Sequence, residues 1–280
     1  MDGVTLYNAD CLEVLPTLES ASVGCVITDP PYPCIKRSYG TWTEAEWFAM
    51  MRRVVPECMR IVKPTGSAVF ILQPNSERVG RMRTWLWEFM AWVGKEWGIV
   101  QDVWWWNSAK LPEAHSIQGR LMRPSVKACV WVGPSDCYRN QDLCLWEPNW
   151  ERLRSAAADR FGRKSLPSGQ GVDRKKCAEA TMRRGGSTPF NLLPIPNANS
   201  SSSAGSHGHG AGTPALLADW WLRFICPPAG TVLDPFIGSG TVALEAVKQG
   251  KQAIGIERVP EYCAIAEKRI AAAKREAVPA

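Results

Sequence analysis

Asp29-Pro30-Pro31-Tyr32 is the stretch of this chain whose residue types and spacing could do chemistry. It closes the β-branched apolar run Val23-Gly24-Cys25-Val26-Ile27-Thr28, which reads as a buried strand cut off at its carboxyl end by two prolines. Each proline fixes its own φ and pushes the residue before it towards extended backbone, so Asp29, the Pro30 carbonyl and the Tyr32 ring sit on a stiff ledge. Ligands of open α/β sheets bind outside the carboxyl ends of the strands, where this ledge offers two acceptors beside an aromatic face. An exocyclic amine stacked on Tyr32 would donate one hydrogen to Asp29 and the other to the Pro30 carbonyl. That draws the nitrogen lone pair out of conjugation and aims it at an electrophile, which is positioning and electrostatics rather than covalent catalysis. A nucleobase amine is the expected target. The plain alternative, a proline-terminated strand with a solvated Asp, must explain a tetrapeptide that arises by chance in about one chain in a thousand of this length.

A second constellation lies near the other end. Thr231-Val232-Leu233-Asp234 reads as a strand, and Pro235-Phe236-Ile237-Gly238-Ser239-Gly240-Thr241 as a glycine turn opening a helix over 242–248. The next strand, over 252–256, ends at Glu257, 17 residues after Gly240, where an acidic side chain is placed to hold a ribose diol. The third glycine of the dinucleotide fingerprint is missing, so a nucleoside-type cofactor is favoured over NAD. Asp10 also stands at a strand's carboxyl end, after the short strand candidate over 4–7.

The elements that must position these residues alternate between strand and helix. Periodicity predicts a helix over 11–18, making a βαβ unit with the ledge strand, then a loop over 33–42, a helix over 44–62 and a turn at Lys63-Pro64-Thr65-Gly66. A buried strand over 67–72, a helix over 78–93 and strands over 97–106 and 126–132 follow. Trp104-Trp105-Trp106 offers a ring to a base pocket, although large apolar rings are usually core. From Gly133 the periodicity weakens: a helix with Arg152 and Arg154 exposed is expected over 150–161, and 197–212 is Ser/Gly-rich. Order returns with helices over 215–224 and 260–273. The pattern predicts an α/β fold with a doubly wound, mostly parallel sheet. Residues 1–132 and 207–280 form its two halves, and 133–206 is an inserted region.

Length and composition fit this reading. The 280 residues suit one large domain or a domain with an insertion, and 45% hydrophobic with 21% charged residues is ordinary for a globular protein. Ten cysteines without a C-x-x-C pair indicate neither a zinc ribbon nor a disulfide scaffold, and no metal is expected. With no membrane-length apolar run and no signal-like start, the expected location is the cytoplasm of a bacterial or phage-infected cell. The net charge of +6 is concentrated: residues 133–212 carry eleven Lys or Arg against seven Asp or Glu. A polyanion is the natural partner of such a surface.

The pair Asp29-Pro30-Pro31-Tyr32 and Asp234-Pro235-Phe236-Ile237-Gly238-Ser239-Gly240-Thr241 resembles the motif pair of S-adenosylmethionine-dependent DNA amino-methyltransferases. The order, catalytic motif first and cofactor motif last, resembles their β group, a circular permutation of the Rossmann-like methyltransferase fold. The resemblance covers most of residues 4–132 and 207–273 and leaves the insertion out. It implies a catalytic set of Asp29, Pro30, Pro31 and Tyr32, with S-adenosyl-L-methionine held by Asp234, Phe236, Gly238, Ser239, Gly240 and Thr241. Glu257 would take the ribose hydroxyls and Asp10 the cofactor's adenine amine, while His209 and Thr213-Pro214 resemble a His-Pro-Thr-x-x-Pro segment at the methionine end, from which Gly210 and Ala211 depart. Trp106-Asn107 resembles a Trp-Asn of the base pocket, with Ser108 where a Lys usually follows.

The resemblance further implies double-stranded DNA as partner, with the insertion as target-recognition domain contacting phosphates and reading bases in the major groove. The target base must flip out of the duplex to reach Tyr32. A homodimer and a restriction endonuclease are protein partners still to be tested. N6 of adenine is the expected acceptor, because Asp is commoner at the first motif position among adenine enzymes and Ser among N4-cytosine enzymes; N4 of cytosine is the alternative. A DNA-binding regulator without turnover is a competitor, and so is methylation of RNA or of a protein amide. Pro33-Cys34 resembles the nucleophile pair of cytosine carbon-5 enzymes, but there Pro-Cys replaces the D-P-P-Y rather than following it.

Overall fold

The computed structural model describes residues 3–37, 40–108, 122, 124–158, 173–197 and 212–276. These form two compact units, residues 1–139 with 191–280 and residues 140–190.

The larger unit is built on a sheet that, among the described residues, has eight strands in the order β1-β10-β9-β2-β3-β7-β6-β8. Its strands are β1 (Val4–Tyr7), β2 (Val23–Thr28), β3 (Val62–Leu72), β6 (Ile99–Trp106), β7 (Val126–Val132), β8 (Leu192–Pro194), β9 (Thr231–Asp234) and β10 (Gln252–Ile256), while β4 (Ser76–Arg78) and β5 (Arg81–Met82) make a separate hairpin. All sheet strands run parallel except β7, which is antiparallel to both β3 and β6. The order reverses direction at β9 and β2, where the two ends of the chain meet: Cys25 pairs with Val232 and Val26 with Leu233.

Alternation along the strands gives the sheet two apolar faces. Ala68, Phe70 and Leu72 of β3 and Ala128, Val130 and Val132 of β7 face a core shared with α1 (Cys11–Val14), α2 (Glu44–Ile61) and α3 (Trp85–Glu96). Helix α2 starts at a capping box between Thr43 and Glu46 and buries Trp47, Met51, Val54, Val55, Cys58 and Ile61 at helical spacing. Its Trp47 ring meets Trp85 at 4.8 Å and Phe89 at 5.4 Å, both edge-on. The opposite face is covered by α6 (Ala215–Ile225), where Trp131 of β7 packs on Trp221 and Phe224 at 5.9 and 5.5 Å. Helix α6 packs on α7 (Thr241–Lys248), and α7 on α8 (Pro260–Glu276).

Several expectations change. The predicted helix over 78–93 is the β4–β5 hairpin, turned by Gly80 at φ +76°, followed by a helix that begins only at Trp85, where the apolar spacing begins. Strands β1 and β2 are not neighbours, because β10 and β9 from the other end of the chain lie between them. The helix over 11–18 stops at Val14 and passes into a 3-10 turn at Leu15–Thr17 around Pro16. Lys63-Pro64-Thr65-Gly66 lies inside β3 as a bulge, since Val23 pairs with Val62 but Cys25 with Ser67.

The smaller unit contains a 3-10 turn at Gln141–Cys144 and helices α4 (Trp150–Ala158) and α5 (Arg174–Arg184). Asp173 caps the start of α5 through the N–H groups of Lys175 and Lys176, and Gly185 at φ +82° ends it. Trp146 and Ser187 exchange backbone hydrogen bonds of 2.9 Å each, and Arg184 pairs with Asp142 and reaches Gln141 Oε1 at 2.6 Å. Residues 133–139 and 191–197, expected in the insertion, belong to the larger unit, where β8 extends the sheet beside β6. Among the described residues no helix is long and apolar enough to cross a membrane.

A Cβ on Gly66 would run into the Gly24 carbonyl and the Val62 side chain. Gly66→Ala is therefore expected to destabilise the fold by about 1–3 kcal/mol. The urea midpoint should drop with an unchanged slope; an unmoved midpoint would mean that the bulge relaxes.

Candidate active site

The carboxyl ends of β1, β10, β9 and β2 open into one cavity of about 430 Å³. The ledge lines it through Asp29, Pro30, Pro31 and Tyr32, and the opposite wall carries Asp10, Asp234, Phe236, Gly238 and Glu257. Ser239, Thr241 and Thr213 also line it. Gly240 does not reach the cavity; it caps α7 at φ +84°, and a Cβ there would meet Ala266 at 2.8 Å, so its glycine serves turn and helix packing. His209 lies outside the described residues.

The ledge is rigid because the core holds it. Buried Trp47 donates its indole N–H to the Pro31 carbonyl at 2.6 Å, and Asn75 Nδ2 donates to the Pro33 carbonyl at 2.7 Å. Asn75 is itself fixed by Trp85 Nε1 at 3.0 Å. The Tyr32 hydroxyl donates to Asp29 Oδ1. Lys127 Nζ donates to the Tyr32 hydroxyl at 2.9 Å and to Asp29 Oδ2 at 3.5 Å.

The opposite wall is organised by its own carboxylates. Asp234 Oδ1 accepts the Thr28 hydroxyl at 2.7 Å and the Phe236 N–H at 3.1 Å. Burial pushes its carboxyl up to about 7; the two hydrogen bonds oppose that rise, and the nearby charges of Asp29 and Glu257 add to it. Glu257 accepts the Val259 and Gly238 N–H groups at 2.8 and 3.0 Å, which aim it across the glycine turn. Burial raises its pKa, and those N–H groups counter the rise. Asp10 caps α1 by accepting the Leu12 N–H at 2.8 Å.

Four carboxylates in the lining (Asp10, Asp29, Asp234, Glu257) make the cavity rich in acceptors, while Arg37, Lys127 and Arg258 stand among them. That acceptor set suits a ligand bearing hydroxyls, amines and positive charge, with Phe236 offering an apolar contact.

Sequence reasoning missed Lys127, although a lone Lys amid the apolar alternation of Val126 to Val132 is a signal that could have found it. It also missed Arg258, whose guanidinium lies 5.1 Å over the Trp42 ring. Trp106 and Asn107 do not line the cavity: Trp106 is partly exposed, and Asn107 Oδ1 accepts the Asn197 N–H at 2.9 Å. Cys34 lies outside it too, exposed on a turn at φ +60°.

A sheet reversing direction at a cavity that joins a paired-acceptor ledge to a glycine turn defines the Rossmann-like methyltransferase fold. A family model described as DNA methylase matches residues 23–268, and the chain belongs to that family. It is 27% identical to the type II methyltransferase M.PvuII of Proteus hauseri over 283 residues, covering 93% of this chain and 81% of that protein. Among solved structures, the PvuII DNA methyltransferase (cytosine-N4-specific) superposes with a TM-score of 0.71 at 21% identity over 96% of this chain and 86% of that one. The M1.HpyAVI–SAM complex gives 0.59 at 17% identity over 95% and 98%. Both likenesses show the fold.

The Asp234 carboxyl generates a pH prediction. An unfolded Asp ionises near pH 4, whereas folded Asp234 keeps its proton to about 7. Between these values the folded state binds the extra proton, so this group's contribution to stability falls as pH rises through that window and is level above it. Asp234→Asn keeps an acceptor for Thr28 and Phe236 but cannot ionise. Its stability relative to the parent should climb between about pH 4 and 7 and then plateau; parallel urea-unfolding curves across that range would contradict the shift.

Proposed function

We propose that this protein transfers a methyl group from S-adenosyl-L-methionine to the exocyclic N6 amine of adenine in double-stranded DNA, by direct displacement after the base has flipped out. The observation that carries the reading is the single cavity shared by the ledge and the glycine turn, with Thr28 and Asp234 hydrogen-bonded between them. S-adenosyl-L-methionine, when bound, supplies an electrophilic methyl group on a sulfonium. Phe236 and the glycine turn would line its methionine side, Glu257 would hold the ribose hydroxyls and Asp10 the adenine amine. The acceptor-rich lining favours a cationic donor, and Thr213 adds a hydroxyl.

On the target side Tyr32 is the stacking platform, and stacking returns about 1–3 kcal/mol of the cost of flipping. Asp29 and the Pro30 carbonyl accept hydrogen bonds from the two amine hydrogens, which draws the nitrogen lone pair out of conjugation with the ring. That lone pair displaces the methyl group from the sulfonium, leaving a thioether, and the cationic amine then gives up one proton. Trp47 and Asn75 hold the ledge while this happens, so its backbone needs no reorganisation. The 140–190 unit, with Lys175, Lys176 and Arg183 on α5, is the proposed target-recognition element.

A second reading, N4 of cytosine by the same mechanism, is favoured by the likeness to the cytosine-N4-specific PvuII DNA methyltransferase. Asp29 at the head of the motif supports adenine. Incubation with S-adenosyl-L-methionine and unmethylated genomic DNA, followed by nucleoside mass spectrometry, separates them: N6-methyladenine is expected, N4-methylcytosine would reverse the choice of base, and no methylated nucleoside would end the proposal. Asp29→Ala is expected to lower turnover at least about a hundredfold with cofactor binding by calorimetry unchanged. Glu257→Gln should instead weaken cofactor binding about tenfold and recover turnover at saturating cofactor.

A further inference from the structure

Lys127 has a place in the site that the amine-holding scheme does not use. Because β7 runs against its neighbours, its first residues lie at the carboxyl ends of the parallel strands. Lys127 therefore enters the cavity from a strand two places away from the ledge. Its ammonium lies 5.0 Å over the buried Trp105 ring, its cross-strand partner, and 5.2 Å over Tyr32. The Lys127 and Asp29 side chains are only 19% and 15% exposed, so the pair is largely withdrawn from water.

This arrangement competes with the reaction unless the ammonium has another partner. The Tyr32 hydroxyl and Lys127 Nζ each donate to one oxygen of Asp29, the side chain that must also accept from the target amine. A cation 3.5 Å from Asp29 also opposes the positive charge that grows on a methylated amine. Lysine offers three donors and no acceptor, so a new partner on the base must be a bare lone pair. Adenine carries one on ring N1 and cytosine one on ring N3, each beside the exocyclic amine. In guanine and thymine the ring nitrogen at that Watson–Crick position bears a hydrogen, and the amine beside it is replaced by a carbonyl oxygen that has no hydrogen to give Asp29.

We propose that Lys127 selects the target base: its ammonium passes from Asp29 to the unprotonated ring nitrogen beside the amine, freeing Asp29 Oδ2 for the amine hydrogen. This rests on the amino-methyltransferase reading of the site. Lys127 and Asp29 together thus admit adenine and cytosine, whose amine lies beside a bare ring nitrogen on the Watson–Crick edge, and reject the other two, while Tyr32 stacks on any of them.

The test uses duplexes carrying the protein's own methylation site, with the target base either normal or replaced by the analogue that has C–H at the ring nitrogen, 1-deazaadenine or 3-deazacytosine. The parent is expected to prefer the normal base about ten- to hundredfold in kcat/KM, the discrimination expected of one charged hydrogen bond. Lys127→Met should lose a similar factor on the normal base and treat the two duplexes alike, with cofactor binding by calorimetry unchanged. Lys127→Gln, which keeps a neutral donor, should fall between and guards against a folding defect in the Met variant. If Lys127→Met keeps the parental ratio, or matches the parent on the normal base, the proposal is overturned and Lys127 only holds Asp29. If the parent methylates no DNA, the reading of the site has failed instead.

Discussion

The buried hydrogen bond from the Thr28 hydroxyl to Asp234 Oδ1 joins residues 206 positions apart, and the site depends on it. Thr28 is the last residue of β2 before the ledge, and Asp234 the last of β9 before the glycine turn. Pairing of β2 with β9 brings the two strands side by side, but it ends at Val26 and Leu233, short of both motifs. The side-chain bond carries the register across that last step. Such a bond contributes about 1 kcal/mol net, while an unpaired partner in a dry interior costs about 1–3 kcal/mol. Separating the pair is therefore penalised more than forming it is rewarded. Asp234 binds the Phe236 N–H as well, so one buried carboxyl ties the ledge strand to the turn beyond it.

The ledge owes its stiffness to an aromatic core rather than to its prolines alone. Two prolines restrict φ, but they leave the chain free to swing about Asp29 and Tyr32. Trp47 removes that freedom from deep in α2, where Trp85 and Phe89 pack against it. Trp85 extends the same support through Asn75 to the Pro33 carbonyl. Trp47 thus has a mechanical role: its indole is a large apolar body with one donor, filling core and pinning a carbonyl at once.

What the sequence made legible was local. The β-branched runs of β2, β7 and β9 and the dipeptide breaks at Asp29-Pro30 and Asp234-Pro235 have strong short-range signals, and the structure has strands there. The 76–82 hairpin was hidden because Trp85, Leu86 and Phe89 extend a helical spacing back into residues whose turn depends on a single glycine. Strand β8 is three residues long and exists through its pairing with β6, and α5 has almost no apolar face to announce it. Lys127 stands out as a lone charge in an apolar strand, but the site it serves was not legible because its partners, Asp29 and Tyr32, are about a hundred residues away, and the reversal of β7 that joins them is a tertiary fact.

The strand order also sets a timetable for synthesis. Strand β1 pairs with β10, which follows it about 250 residues later, and β9 must be inserted beside a ledge strand completed some two hundred residues earlier. Until β9 and β10 leave the ribosome, β2 presents an unpaired edge and half of the cavity wall does not exist. Such long-range closure is slow relative to local folding, so the ledge strand is made well before the pocket can close. Chain elongation itself thus separates the making of this site from its use.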